Sequence, residues 1–571
     1  MMHGALAPLI TAAVFAGIVA ARPAPTPTLG KRATTTSVII PQGTIIGSVS
    51  NGSENFGGIP FAQAPEGNLR LKPPQRLNSS LGTFDATGAG PSCPQMFFST
   101  EGNDLLASAL GDLLNTPLFQ VTTGQKEDCL TMRVQRPAGT QSDAKLPVLF
   151  WIFGGGFELG SPQMYDASSL ISNGVDQGKP FIFVSVNYRV GGFGFMAGKE
   201  ILADGASNLG LLDQRMGLEW VQDNIAAFGG DPDKVTIWGE SAGAISVFDQ
   251  MALYGGDNTY NGKKLFRAAI MDSGSVVPAN PVDCDRAQAV YDTVVQEAGC
   301  SSAADTLACL RSADYDTFLH ATNSVPGILS YQSVALSYLP RPDGKILEDS
   351  PDVLALNGKY AAVPMIIGDQ EDEGTLFSLF QSNITNTDEL VDYIWEIYFP
   401  GIERDDVVGL VNTYDPSITA GSPFNTGILN DVYPEFKRLA AILGDMVFTL
   451  TRRIFLQSAT AVNPDVPSWS YLASYDYGTP ILGTFHASDL LQVFYGILPD
   501  YASNAIQSYY ISFLYTMDPN DGTSSDYAQW PQWKENKQLM QFWSNKSNLL
   551  ADDFRSASQE YISANSKKFL I

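Results

Sequence analysis

The stretch that decides the fold is Val235-Thr-Ile-Trp-Gly-Glu-Ser-Ala-Gly243. Its first four residues have the β-branched and aromatic composition of a buried strand. Gly239 and Gly243 allow a sharp turn into a helix, which lifts the hydroxyl of Ser241 clear of the sheet and sets the amide of Ala242 beside it. An ordinary glycine turn could carry the same letters, but the buried strand before it favours a nucleophile. Ser241 is therefore the candidate nucleophile of an α/β protein.

Apolar runs of strand length recur on both sides of this motif and alternate with helical patterns. They are residues 146–153, 180–187, 268–271 and 363–367. Such alternation indicates a large, mostly parallel central sheet covered by helices. No linker-like run divides the chain after Arg32. Together with the serine turn, this predicts the α/β-hydrolase fold in a single catalytic domain over residues 33–571.

Composition narrows the classes of partner. The 571 residues are 44% hydrophobic, which suffices for a large core, and 60 acidic residues outnumber 34 basic ones. Phosphate binding needs clustered Lys and Arg, so nucleic acid and anionic membrane surfaces are disfavoured. The excess of acidic residues is compatible with uncharged substrates.

The N-terminus is typical of an exported protein. An apolar stretch followed by Ala20-Ala21 predicts a signal peptide over residues 1–21. The proline-rich segment 22–32 ends in Lys31-Arg32 and reads as a pro-segment. The apolar run is too short for a bilayer span, and no later stretch predicts an integral membrane anchor. We therefore expect a secreted, extracellular protein.

Export makes the five cysteines candidates for disulfides. Cys300 and Cys309 are close enough to clip a small loop, and Cys93 with Cys129 would close a longer one. Cys284 is left over, and we expect it to be a buried thiol. Sequons for N-glycosylation start at Asn51, Asn78, Asn383 and Asn545.

Three glycines end an earlier apolar run, in Phe153-Gly-Gly-Gly-Phe157. Without side chains, their amides can approach a substrate oxygen on which negative charge develops during acyl transfer. The alternative, a flexible glycine loop, is disfavoured by the flanking phenylalanines. We assign Gly155 and Gly156, with Ala242, as an oxyanion hole.

A serine nucleophile needs a base, and the chain has only three histidines. His3 lies in the signal segment, and His320 lies in a helical pattern without any motif. His486 lies in a late loop, which fits the chain order Ser, acid, His of this fold. His486 is therefore the predicted base.

The acid should follow the strand-like run 363–367, because catalytic loops sit at strand ends in open α/β sheets. Four carboxyl groups occur there, at Asp369, Glu371, Asp372 and Glu373. Glu373, followed by a glycine, is our choice. Spacing alone does not choose among them.

Together these residues resemble the type B carboxylesterase/lipase family. Residues 228–243 look like its serine signature, and 127–134 (Glu-Asp-Cys-Leu-Thr-Met-Arg-Val) look like its second signature. The resemblance covers the chain from Thr36 onward. It implies that Cys129 pairs with Cys93, and that Glu373, in Asp372-Glu-Gly374, is the acid. Within the family, residues 151–160, 336–342 and 483–486 are similar to secreted yeast lipases and fungal sterol esterases. Phe153 replaces the histidine of other lipases, as is normal in this branch.

The resemblance also implies a mobile lid within residues 93–129. In agreement, leucines line one face of a helical pattern between Leu105 and Leu114. An ordinary surface helix would give the same pattern. We further expect that the lid region could form a homodimer contact. The acyl pocket implied by the resemblance is lined by Val277, Ile328, Val334, Leu336 and Phe377, each of which could equally be a core residue.

The sequence therefore predicts a lipase or sterol esterase that cleaves steryl esters and triacylglycerols at an oil–water or micelle interface. It implies no metal and no cofactor. Two alternatives stay open. The first is a general carboxylesterase for small soluble esters, against which the leucine-rich lid argues. The second is a catalytically dead adhesion protein of the cholinesterase type, which would need a lost triad member, and none is missing.

Overall fold

The computed structural model describes residues 34–96, 124–494 and 499–571. The expected signal peptide, the pro-segment and the leucine stripe 105–114 of the lid lie outside the described residues. Within the described ranges, no helix combines the length and the apolar character that a bilayer crossing requires.

The strands are β1 (Thr34–Ile40), β2 (Gly43–Ser50), β3 (Ser53–Pro60), β4 (Gly82–Asp85), β5 (Thr131–Pro137), β6 (Leu146–Ile152), β7 (Ile182–Val186), β8 (Gly230–Glu240), β9 (Thr259–Tyr260), β10 (Lys263–Lys264), β11 (Ala268–Asp272), β12 (Met365–Gln370), β13 (Ser468–Ala473), β14 (Gln538–Trp543) and β15 (Lys546–Ala551). Strands β9 and β10 form a small hairpin, and the others form one sheet of 13 strands. Its order is β1-β2-β3-β5-β7-β6-β8-β11-β12-β13-β14-β15, with β4 beside β2.

The predicted mostly parallel sheet is confirmed at its centre, where every pair from β7 through β6, β8, β11, β12 and β13 to β14 is parallel. The central strands are buried on both faces, which explains their unbroken apolar runs. Towards both edges the pairs become antiparallel, at β1-β2-β3-β5-β7 and at β14-β15. The sheet is therefore mixed, because its central strands are parallel and the strands towards its edges are antiparallel.

The helices are α1 (Ser168–Asp176), α2 (Gly191–Gly194), α3 (Lys199–Asp204), α4 (Leu209–Asn224), α5 (Ala242–Gly256), α6 (Asp285–Glu297), α7 (Thr306–Ser312), α8 (Tyr315–Thr322), α9 (Pro351–Leu356), α10 (Thr387–Ile397), α11 (Arg404–Val411), α12 (Phe436–Gly444), α13 (Leu450–Val462), α14 (Ser488–Val493), α15 (Tyr501–Thr516), α16 (Trp533–Asn536) and α17 (Ser556–Ala564). Helix α5 follows β8 directly, and every residue from Ala242 to Leu253 is buried. It therefore runs through the core and not over the surface.

The cysteines pair as Cys93–Cys129 and Cys300–Cys309. Cys284 is free, but our expectation of a buried thiol is wrong, because its side chain is partly exposed just before α6. The asparagines of all four sequons, Asn51, Asn78, Asn383 and Asn545, are exposed. Their glycosylation stays a prediction.

Candidate active site

Ser241 lies in the turn between β8 and α5, with φ +56° and ψ −126°. A residue other than glycine rarely adopts this backbone conformation, which persists only where the surrounding structure enforces it. A Cβ atom at Gly239 would collide with the backbone of Gly243, and one at Gly243 would collide with the carbonyl of Ile152. Both glycines are therefore needed because helix and strand approach closely, while Ser241 projects from the turn.

The structure brings Ser241, His486 and Glu373 into one hydrogen-bonded series. Ser241 Oγ lies 2.8 Å from His486 Nε2, and His486 Nδ1 lies 2.5 Å from Glu373 Oε2. Glu373 Oε1 accepts from the amide of Gln370 at 2.7 Å, which fixes the carboxyl group in place. All three side chains are buried, with Ser241 the most exposed at 7%. His320, by contrast, is exposed on α8.

The loop of His486 is attached to the acidic loop by its neighbour, Asp372. Asp372 pairs with Phe485 in an isolated parallel bridge, and its Oδ2 accepts from the amide of Thr484 at 3.0 Å. Its Oδ1 accepts from Ser422 Oγ at 2.8 Å. Asp372 thus holds the two loops together, while the next residue, Glu373, reaches the imidazole.

Three backbone amides are candidates for the oxyanion hole: Gly156 and Ala242 line the same pocket as Ser241, and Gly155 directly precedes Gly156. Gly155 and Gly156 have φ +112° and +63°, and Ala242 opens helix α5. Among the residues that the structure describes, none of these amides donates to a protein acceptor. The positive end of the α5 dipole adds to their attraction for an anion. The three groups can therefore stabilise an oxyanion without giving up another hydrogen bond.

Two buried acids near the site escaped sequence reasoning. Glu240 Oε1 lies 3.4 Å from His486 Nε2, and Asp489 follows His486 by three residues. Burial, with the charges of Asp489 and Glu373, raises the pKa of Glu240 well above its usual range, and burial with neighbouring acids does the same for Asp489. Glu373, and neither of these two acids, makes the short contact to His486 Nδ1. For Glu240, its position inside the serine motif, directly before Ser241, was the available signal.

An apolar pocket opens beside Ser241. The five residues predicted for the acyl pocket line it, and these are Val277, Ile328, Val334, Leu336 and Phe377. Gly156 and Ala242 also face it, as do Ile245 and Asp249 of helix α5. The last two were missed, although the spacing 241, 245 and 249 places them on the same helical face as the serine. No cluster of His, Cys, Asp and Glu suited to a metal ion occurs in the described ranges.

A family model, two fungal lipases and a solved structure each match most of this chain. The model of the carboxylesterase family matches residues 34–562. A secreted triacylglycerol lipase of Gibberella zeae is 62% identical over 95% of this chain and 93% of its own length. A secreted lipase of Botryotinia fuckeliana is also 62% identical, over 94% of both chains. The crystal structure of Aspergillus niger EstA has a TM-score of 0.79 and 26% identity, and it covers 94% of this chain and 99% of its own. The predicted α/β-hydrolase fold is thereby confirmed.

Proposed function

This chain belongs to the carboxylesterase family and is a secreted carboxylic ester hydrolase, and from that premise we propose that it cleaves long-chain lipid esters such as triacylglycerols and steryl esters. Ser241 is the proposed nucleophile, His486 the base and Glu373 the acid. The observation that carries this proposal is the series of hydrogen bonds from Ser241 Oγ through His486 to Glu373, at 2.8 and 2.5 Å.

The proposed reaction has two halves. His486 Nε2 takes the proton of Ser241 as Oγ bonds to the ester carbonyl carbon, and Glu373 stabilises the imidazolium. The tetrahedral oxyanion is held by the amides of Gly155, Gly156 and Ala242. The carbon–oxygen bond to the alcohol then breaks, and His486 returns the proton to the departing oxygen. Water repeats the sequence on the acyl-enzyme and releases the fatty acid.

The apolar pocket supports a long acyl chain as substrate. Its lining is formed mostly by aliphatic and aromatic side chains, and burying each methylene of a chain there contributes about 0.8 kcal/mol. The relatives at 62% identity are named as secreted lipases, one of them a triacylglycerol lipase. Action at an oil–water or micelle interface, a lid within residues 93–129 and a homodimer through that region belong to the same proposal.

The histidine assignment is tested with two variants. His486→Ala should lower turnover of triolein and of p-nitrophenyl butyrate by several orders of magnitude, because Ser241 loses its base. His320→Ala is the matched control, and it should retain most of the activity because that side chain is exposed on α8. Similar losses in both variants would contradict the proposed triad.

The substrate class is tested by initial rates on triolein, cholesteryl oleate and p-nitrophenyl butyrate. We expect the rates on the two lipid esters to rise once the substrate exceeds its solubility limit. Changing Leu110 and Leu113 together to Ser should remove this rise if the lid turns its apolar face to the interface. A chain that hydrolyses the butyrate ester and neither lipid ester would instead be a general carboxylesterase.

A further inference from the structure

Helix α5 carries three polar side chains in its buried middle, at Ser246, Asp249 and Gln250. Two of them face helix α4 and have partners there. Gln214 Nε2 donates to Ser246 Oγ at 3.0 Å, and Gln250 Nε2 donates to the carbonyl of Leu211 at 2.8 Å. Asp249 differs from them, because it lines the apolar pocket. Its surroundings therefore differ from those of its two polar neighbours.

The carboxyl group of Asp249 is an exception to the rule that buried polar groups have partners. The residue is fully buried, and neither carboxyl oxygen has a hydrogen-bond partner among the described residues. Burial raises the pKa of Asp249 well above its usual range. Burial therefore favours the protonated form of this carboxyl group, which can donate one hydrogen bond and accept others.

The position of Asp249 relative to Ser241 sets the length of chain that could reach it. Ser241, Ile245 and Asp249 are spaced by four residues and all line the pocket, so the pocket follows one face of α5. Eight residues of helix span about 12 Å at 1.5 Å per residue. An extended chain advances roughly 1.2 Å per bond, which puts Asp249 about ten bonds beyond the ester carbonyl.

We propose that Asp249 forms a binding site for acyl chains that carry a hydroxyl group near the middle of the chain. This inference rests on the proposed function, because it assumes that the acyl chain occupies this pocket. A mid-chain hydroxyl would donate to one oxygen of Asp249 and accept from the other. Both groups would then be satisfied in an environment that excludes water. An unsubstituted chain would offer the carboxyl group no hydrogen-bond partner.

The test compares 12-hydroxyoctadecanoyl, 3-hydroxyoctadecanoyl and octadecanoyl esters of one alcohol in mixed micelles. Rates are normalised to the number of competent sites, titrated with an organophosphate that labels Ser241. We expect the native enzyme to prefer the 12-hydroxy ester over the octadecanoyl ester by roughly tenfold in kcat/KM, as one buried hydrogen bond allows. The 3-hydroxy ester, whose hydroxyl lies far from Asp249, should show no such preference.

Variants then assign the preference to one side chain. Asp249→Leu should abolish the preference for the 12-hydroxy ester, and Asp249→Asn should keep part of it. Ser246→Ala is the matched control, because Ser246 is a buried polar residue of α5 that contacts Gln214 and does not line the pocket, and it should retain the native ratio. Because each ratio is measured within one variant, a loss of folded enzyme does not alter it.

The outcomes separate the two proposals. Equal kcat/KM for the 12-hydroxy and octadecanoyl esters in the native enzyme, or an unchanged preference in Asp249→Leu, would overturn the Asp249 site while leaving lipid ester hydrolysis intact. Hydrolysis of short esters without any hydrolysis of the three long-chain esters would instead reject the proposed function.

Discussion

Four carboxyl groups lie within the five residues 369–373, at the end of β12 and directly after it, and each has different surroundings. Asp369 pairs with Arg452 at 2.7 Å, and Asp372 accepts hydrogen bonds from Ser422, Phe424 and Thr484. Burial raises the pKa of Glu371. Glu373 is the one whose carboxyl group contacts His486 Nδ1. At the scale of a residue, role is decided by partners that are distant in sequence, and neighbouring acids are not interchangeable.

This difference predicts opposite behaviour of two isosteric variants. Glu373→Gln should reduce turnover roughly 10³–10⁴-fold with little change in stability, because an amide cannot stabilise the imidazolium. Asp372→Asn should chiefly lower the unfolding temperature, because it loses an acceptor for the Thr484 amide. Steady-state kinetics and thermal unfolding of both variants check this. An equal loss of turnover in Asp372→Asn would leave the choice of Glu373 without support.

At the scale of elements, Arg452 joins parts of the sheet that are remote in sequence. It projects from α13, is fully buried, and contacts Asp369 in β12 at 2.7 Å. It also contacts Asp552, just after β15, at 2.8 Å and the hydroxyl of Ser470 in β13 at 2.9 Å. A buried ion pair of this kind gives strong penalties when only one partner is removed. Arg452 therefore fixes α13 against the strands that carry the acidic loop.

Removal of that guanidinium should be costly. Arg452→Ala is expected to lower the free energy of unfolding by about 3–5 kcal/mol, because the buried Asp369 loses its ion-pair partner and Asp552 keeps only its pair with Arg453. Lys359→Ala is the matched control, since Lys359 pairs with Glu348 at 3.0 Å on the surface, with its side chain 54% exposed. That pair should contribute at most about 1 kcal/mol. Chemical denaturation of both variants measures the difference, and comparable effects would show that burial does not govern these pairs.

At the scale of the whole molecule, burial keeps several acids protonated. It raises the pKa of Glu158 to about 8 and that of Asp476 to about 6, and burial together with Glu371 raises that of Asp372 to about 7. Between their unfolded values and these folded values, the native state binds more protons than the unfolded state. Stability from these groups is therefore fully present below about pH 4 and is lost as pH rises through the folded pKa. The formal charge of −26 adds repulsion in the same direction.

We accordingly expect the free energy of unfolding to fall between pH 5 and pH 8. Each group that remains protonated only in the native state contributes ~1.4 kcal/mol per pH unit to this slope. Glu158→Gln should give a shallower slope, because Gln accepts the bond from the Ile328 amide and does not ionise. Denaturant titrations across this pH range provide the measurement. A slope of the opposite sign in the native protein, or identical slopes in both proteins, would refute this account.

Local signals were enough for the central architecture and for two of the candidate site residues. The runs 146–153, 180–187, 268–271 and 363–367 coincide with β6, β7, β11 and β12 to within two or three residues. These strands could be predicted from the sequence because a strand buried on both faces needs an unbroken apolar sequence. Ser241 was predicted because glycines flank it directly after a buried strand, and His486 because the chain has few histidines.

Tertiary structure alone decided what depends on contacts between distant segments. The antiparallel edges of the sheet have no distinctive local pattern, and the partial exposure of Cys284 follows from its place before α6. Without the family resemblance, the acidic residue that meets His486 could not be selected, because that contact joins positions 113 residues apart. The unpaired carboxyl group of Asp249 was equally invisible in sequence. Periodicity identifies the residues that share a helical face, but only packing determines whether that face meets a partner or a pocket.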